Sequence, residues 1–234
     1  MKKSNIALIT VFFVFIPLTL FFGTKLPGRG YFITCLLIFA ELLVPFFMTF
    51  GRNKPRLCEI MTLLVMCVLA ILGRVLIPIP HFKAAYALIM LAGIALGPEY
   101  GFIVGAVTAF VGDFFYGIGA YMPFQMTAYG AGGMLAGFVF MNNKSGRKPW
   151  IMAVIGFFTV IVWIGPLLDT AHLFVMMPDL SVKSLISSLA SGFPVNVMQG
   201  ICTALIMLLL GKALLEKLER VRVKYCITED NYGI

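Results

Sequence analysis

Apolar residues run along this chain in long unbroken stretches separated by short polar gaps. The stretches cover residues 6–22, 30–50, 59–79, 84–98, 100–117, 122–141, 150–170 and 184–211. A helix needs about 20 mainly apolar residues to cross a bilayer, so the pattern predicts about eight transmembrane helices. The fourth run is short and glycine-rich. None of the runs alternates apolar with polar positions, which excludes a membrane β-barrel. Pro17, Pro45, Pro166 and Pro194 fall inside runs and are expected to kink helices. The expected fold is an all-α integral membrane protein.

Composition strengthens that reading. Of 234 residues, 61% are hydrophobic and 12% charged, about half the charged share of a soluble domain. The chain is read as a single membrane body with an uncleaved first helix. Lys2 and Lys3 precede its apolar stretch, and no A-x-A-like cleavage site follows.

The net charge of +8 could suggest nucleic acid, but its placement excludes that partner. With the N-terminus inside, the inner segments hold Lys2 and Lys3, then Arg52, Lys54 and Arg56. They continue with Lys144, Arg147 and Lys148, and end with Lys212, Lys217, Arg220, Arg222 and Lys224. The outer segments hold only Lys25, Arg29, Lys83 and Lys183. This bias puts both termini in the cytoplasm. The stretch from Lys212 to Lys224 reads as a basic helix at anionic lipid headgroups.

Chemistry is sparse. Cys35, Cys58, Cys67, Cys202 and Cys226 form no C-x-x-C pair and no metal spacing with His81 or His172, so free thiols, no metal and no cofactor are expected. P-loop, H-E-x-x-H and G-x-S-x-G signatures are missing, and an enzyme is not expected. Ionisable groups at membrane depth are Glu41, Arg74, Asp113 and Asp169. Glu41 reads as a packing residue or a functional carboxylate. Arg74 can snorkel, pair with Asp113, or face a ligand. Asp169 and His172 mark a helix end that is either solvated or part of a site.

Two connections on the outer side carry further candidates. One is Ile77-Pro78-Ile79-Pro80-His81-Phe82-Lys83, followed by Tyr86. The other runs from Tyr116 through Gly117, Gly119 and Tyr121 to Phe124 and Gln125, with Tyr129 one turn later. Their aromatics suit either an interfacial belt or a small-molecule cup. Between Gly93 and Gly137 several glycines have G-x-x-x-G spacing, which predicts close helix packing.

The order of motifs from Gly73 to Phe140 resembles the S components of energy-coupling factor (ECF) vitamin transporters. The motifs are Gly73-Arg74, Pro78-Ile79-Pro80-His81-Phe82-Lys83, Leu91-Ala92-Gly93-Ile94-Ala95-Leu96-Gly97-Pro98, Pro123-Phe124-Gln125-Met126 and Gly133-Met134-Leu135-Ala136-Gly137. The resemblance implies a six-helix substrate-binding core over 59–211. Two extra helices over 1–58 would precede it, and a basic tail over 212–234 would follow. It implies a vitamin site formed by Arg74, Pro80, His81, Phe82, Lys83, Tyr86, Asp113, Tyr116, Tyr121, Phe124, Gln125, Tyr129, Asp169 and His172. Its implied partners are a membrane scaffold subunit and two cytoplasmic ATPases, in a prokaryotic plasma membrane. The family's small-residue docking stripe is not clean here: Cys67, Ala70 and Gly73 are what the third helix offers. The Gly-Arg, Pro-x-Pro-x-Phe-Lys and Pro-Phe-Gln-Met elements look most like the cobalamin or corrinoid group, although folate, another vitamin or a precursor would suit the same mouth. The competing reading is a self-powered transporter or channel in which Glu41 and Asp113 relay protons.

Overall fold

Every regular element among the described residues is a helix. The computed structural model describes residues 9–23, 30–53, 57–77, 82–141, 147–176 and 181–221. Helix α1 is Ile16–Gly23, entered through a π-turn over Val11–Phe15. Then follow α2 (Gly30–Asn53), α3 (Leu57–Val75), α4 (Ala85–Leu96), α5 (Pro98–Tyr116) and α6 (Met122–Met141). The last two are α7 (Pro149–Met176) and α8 (Val182–Val221).

Helices α7 and α8 are long and apolar enough to cross a membrane by length and composition. Helix α4, with 12 residues, reaches only about 18 Å at 1.5 Å per residue, against a hydrocarbon core of about 30 Å. Several sequence boundaries move, and the run 59–79 ends as helix at Val75. The run ending at 170 continues as helix to Met176, and the run 184–211 becomes the 40-residue α8. Polar residues such as Thr170 and His172 end a hydropathy run without ending a helix. Helix α8 passes residue 211 unbroken, so only polarity changes there.

Two of the prolines act in the same way. Pro17 and Pro166 each lie two residues beyond a π-turn, Val11–Phe15 and Val160–Ile164. The residue before each proline donates five positions back: Ile16 to the Val11 carbonyl, Gly165 to the Val160 carbonyl. Proline has no N–H and its ring presses on the carbonyl four residues earlier. One wide turn relieves that clash without breaking the rod.

The centre of the bundle is the α4–α5–α6 trio, held at backbone contact. A Cβ on Gly101 would lie 2.6 Å from the Gly93 Cα, and one on Gly137 the same distance from the Pro98 Cα. Gly133 faces the Gly101 carbonyl, and Gly105 faces the Tyr129 backbone. Small residues allow this approach in lipid, where packing replaces the hydrophobic effect as the driving force. Gly97 is an exception within the G-x-x-x-G series. Its φ of 113° makes it the turn into α5, where Pro98 occupies the first helical position.

Helix α3 packs on α4 and α5, and α8 packs on α7 and α4. The hairpin of α1 and α2 adds to the α5–α6 side. Cys67 and Ala70 are buried within the bundle, and Gly73 lies against Leu88 and Ala84 of the α4 segment. The small residues read as a docking stripe thus face inward. The outward face of α3 is apolar, formed by Met61, Leu64, Val65, Val68 and Leu72.

Candidate functional site

The end of the bundle where α3 finishes, α4 starts and α5 turns into α6 collects most of the polar residues. Arg74 stands in the last turn of α3, where a cation also favours the helix dipole. It is 4% exposed, so it does not snorkel. Its Nη2 donates to Asp113 Oδ1 at 2.7 Å and to Gln125 Oε1 at 2.8 Å. Its Nη1 donates to the carbonyls of Ala109 at 2.9 Å and Thr108 at 3.3 Å. The rings of Tyr116 and Tyr129 lie 5.4 and 5.1 Å from its Cζ. Gly112 makes room for all this, since a Cβ there would sit 2.8 Å from the Arg74 Cδ.

A buried ion pair is stable only when its remaining hydrogen-bonding capacity is also met. Arg74 meets that condition with one carboxylate, one amide, two carbonyls and two aromatic faces. Of the three roles open in the sequence, pairing with Asp113 is the one observed. Asp113, fixed in this way, is not a free carboxylate for a proton relay. Glu41 lies elsewhere: the Thr19 hydroxyl donates to its Oε1, joining α1 to α2.

Helix α6 links this cluster to a second one. Tyr121, Gln125 and Tyr129 are four residues apart and share one face. Tyr129 meets the Tyr86 ring edge-on at 4.9 Å, and Gln125 meets Arg74. At the near end, the Tyr121 hydroxyl donates to the Leu168 carbonyl at 3.0 Å, and its ring stands edge-on to exposed His172 at 6.2 Å. Phe124 packs on Phe174 at 5.7 Å. On α7, Asp169 accepts from the Asn196 amide at 2.8 Å, while its carbonyl accepts from Ser188. Gly192 of α8 provides the space, since a Cβ there would run into the Asp169 carboxylate.

The two connections also meet. Lys83, from the α3–α4 connection, holds its Nζ 4.1 Å from the Tyr116 ring centroid, and the Tyr116 hydroxyl donates to the Arg74 carbonyl. The Lys83 carbonyl accepts from the Cys202 thiol of α8 at 3.3 Å. The structure therefore gathers Arg74, Lys83, Tyr86, Asp113, Tyr116, Gln125 and Tyr129 in one cluster. Tyr121, Phe124, Asp169 and His172 line its α7 side. Phe82 is half-buried beside Lys83. Pro80 and His81 lie outside the described residues.

The sequence reading missed Asn196 and Ser188. Asn196 is 6% exposed within an apolar stretch. An uncharged amide among apolar neighbours is the signal that would have found it, because burial demands a partner. Replacing Asn196 with leucine leaves the Asp169 carboxylate without its amide donor. The expected cost is about 1–3 kcal/mol, to be read as a lower unfolding midpoint in detergent. Asn196→Gln should recover part of the loss.

The model of the ECF-type riboflavin transporter S component family matches residues 59–216, about two thirds of the chain. The chain belongs to this family. An S component is the substrate-binding subunit of an ECF transporter, a membrane protein of a transporter family and not of an enzyme family. It works with scaffold and ATPase modules on a small-molecule vitamin in a prokaryotic plasma membrane. The family named is the riboflavin one, and nothing supports the corrinoid assignment. Comparison with curated proteins and with solved structures returns no match.

Proposed function

We propose that this S component captures riboflavin at the end of the bundle where Arg74, Tyr121 and Asp169 lie. That end faces outward, both termini lie inside, and α3 to α8 form the core. A scaffold subunit and two cytoplasmic ATPases then drive the vitamin inward. The observation that carries the reading is a closely spaced aromatic cluster around Arg74–Asp113, the one buried ion pair among the described residues, which is already neutralised. Riboflavin is an uncharged, flat tricyclic ring with a donor–acceptor edge and a polyol tail. Aromatic walls from Tyr86, Tyr121, Phe124 and Tyr129 suit the ring, while Gln125, Asp169, Asn196 and Ser188 suit its edge and hydroxyls.

Two alternatives fit less well. A phosphorylated flavin needs a free cation, whereas Arg74 is fully engaged, which leaves Lys83, above a tyrosine ring, as the single cation of the cluster without a carboxylate among the described residues. A corrinoid is much bulkier, and the ring pairs here close to between 4.9 and 6.2 Å.

Purified protein titrated with riboflavin should quench the flavin fluorescence saturably. Flavin mononucleotide should bind about tenfold more weakly, as expected for a dianion that loses hydration and finds one lysine in return. Cobalamin should not compete. Competition by cobalamin, or no quenching at all in folded protein, would overturn the assignment. Accumulation of riboflavin by this chain alone in liposomes would instead favour the self-powered reading.

A further inference from the structure

The family match begins at residue 59, so it assigns no role to the α1–α2 hairpin. The hairpin is nevertheless tied to the site. Thr34, Cys35, Ile38 and Leu42 form one buried face of α2, spaced as neighbours along a helix. Helix α2 lies against α6 and α5. Helix α1 packs beside the same face, where a Cβ on Gly23 would come within 3.0 Å of the Thr34 Cβ. The Thr19–Glu41 hydrogen bond fastens the same two helices.

The decisive contact is between Cys35 and Ala120. The thiol, 6% exposed, donates to the Ala120 carbonyl at 3.1 Å. Ala120 belongs to the link between α5 and α6, which has no regular structure from Gly117 to Gly119. Gly117 has φ 110°, and a Cβ on either Gly117 or Gly119 would meet nothing within 4 Å. Such a link has little internal packing and opens easily unless something outside holds it. Its two ends carry Tyr116 and Tyr121, which reach Arg74 and Leu168 respectively.

We propose that the α1–α2 hairpin is a positioning element that anchors the α5–α6 link over the binding site through Cys35 and so slows ligand exchange. The effect on the ligand rests on the riboflavin reading above; the anchoring does not. Cys35 touches no ligand in this scheme. It acts through the backbone of Ala120 and the placement of Tyr121.

The test compares the full-length protein with Cys35→Ser, Cys35→Val and Cys35→Trp. Hydrogen exchange of the amides of 117–121 is measured without ligand, and riboflavin release is measured separately. Serine keeps a donor and should behave like the parent. Valine fills the space without donating, and should raise exchange in the link about two- to fivefold. Tryptophan wedges α2 away and should raise it about tenfold or more. The amides of α4 and α6 should stay protected, and release should accelerate in the same order. If tryptophan is not tolerated, the valine and serine pair carries the test. Unchanged exchange in the link of the folded valine and tryptophan variants overturns the proposal. So does a rise spread evenly over all helices, or an unchanged release rate where the link has loosened. Failure of the parent protein to bind riboflavin would sink the flavin reading alone, since the exchange pattern decides the anchoring by itself.

Discussion

Replacing Arg74 with methionine should destabilise the protein by about 3–5 kcal/mol, the usual result of stranding a buried partner charge. The stranded group is Asp113, which is itself only 4% exposed. Gln125 and the carbonyls of Thr108 and Ala109 lose their donor at the same time. The reverse change, Asp113→Asn, should cost distinctly less. Arg74 would keep one amide, two carbonyls and the faces of Tyr116 and Tyr129. Asparagine would also still offer an acceptor oxygen. In the double variant Arg74→Met/Asp113→Leu no charge is left behind, so stability should return part of the way. Unfolding midpoints of the three variants in one detergent check the order. If the two single variants fall equally, the guanidinium is not the hub of the cluster. Riboflavin affinity should follow a different order. The double variant is stable enough to measure but has lost the arrangement of Gln125 and Tyr129, so its binding should remain weak.

How far the sequence revealed all this depended on the kind of interaction. Long apolar runs mark helices because lipid offers the backbone no hydrogen bonds, so the segments had to be helical. Their ends were less legible. Hydropathy falls at Thr170, but backbone hydrogen bonding in α7 continues to Met176. The short α4 was visible as a weak run, and its 12 residues are too few to cross the hydrocarbon core alone. Arg74 stood out because charge at membrane depth is costly. Choosing among its three possible roles required knowing that α5 passes alongside with Gly112 facing it. Nothing local in the sequence encodes that.

The second cluster shows a different limit. Asp169 and His172 were candidates because they can ionise. Asn196, which holds Asp169, was overlooked because a neutral amide barely disturbs hydropathy and its partner lies 27 positions away. The corrinoid expectation finds no support in the family match, and the same kind of limit lies behind it. An aromatic, glycine-rich connection looks like a wide mouth when read linearly. In three dimensions Tyr121 and Phe124 are taken up by contacts with α7, through Leu168, His172 and Phe174, and the lining narrows. Small residues were likewise ambiguous between docking and packing. Cys67 and Ala70 proved buried, which moves attention to the apolar face of α3.

Enlarging Gly133 is expected to have one of the largest effects among substitutions outside the polar clusters. Its α-carbon faces the Gly101 carbonyl, and the Ile89 Cγ2 would lie 2.9 Å from an added Cβ. Side-chain neighbours can rotate away, but the Gly101 backbone cannot, because it is packed in turn against Gly93. The strain therefore cannot be absorbed by a rotamer change and must separate α5 from α6. Overpacking in a core commonly costs about 1–3 kcal/mol, and a clash against backbone belongs at or above the top of that range. Gly133→Val should yield little monodisperse protein on size-exclusion chromatography in detergent, and no riboflavin binding in what survives. Gly119→Ala provides the control, since a Cβ there would meet nothing within 4 Å. It should leave both yield and unfolding midpoint within about 0.5 kcal/mol of the parent, as for other surface changes. Gly132→Ala falls between the two, because the obstructing group is the flexible end of Ile164. A series in which Gly133→Val is as mild as Gly132→Ala would mean that α5 and α6 can separate without loss. Their backbone contact could not then be what fixes Gln125 and Tyr129 opposite Arg74.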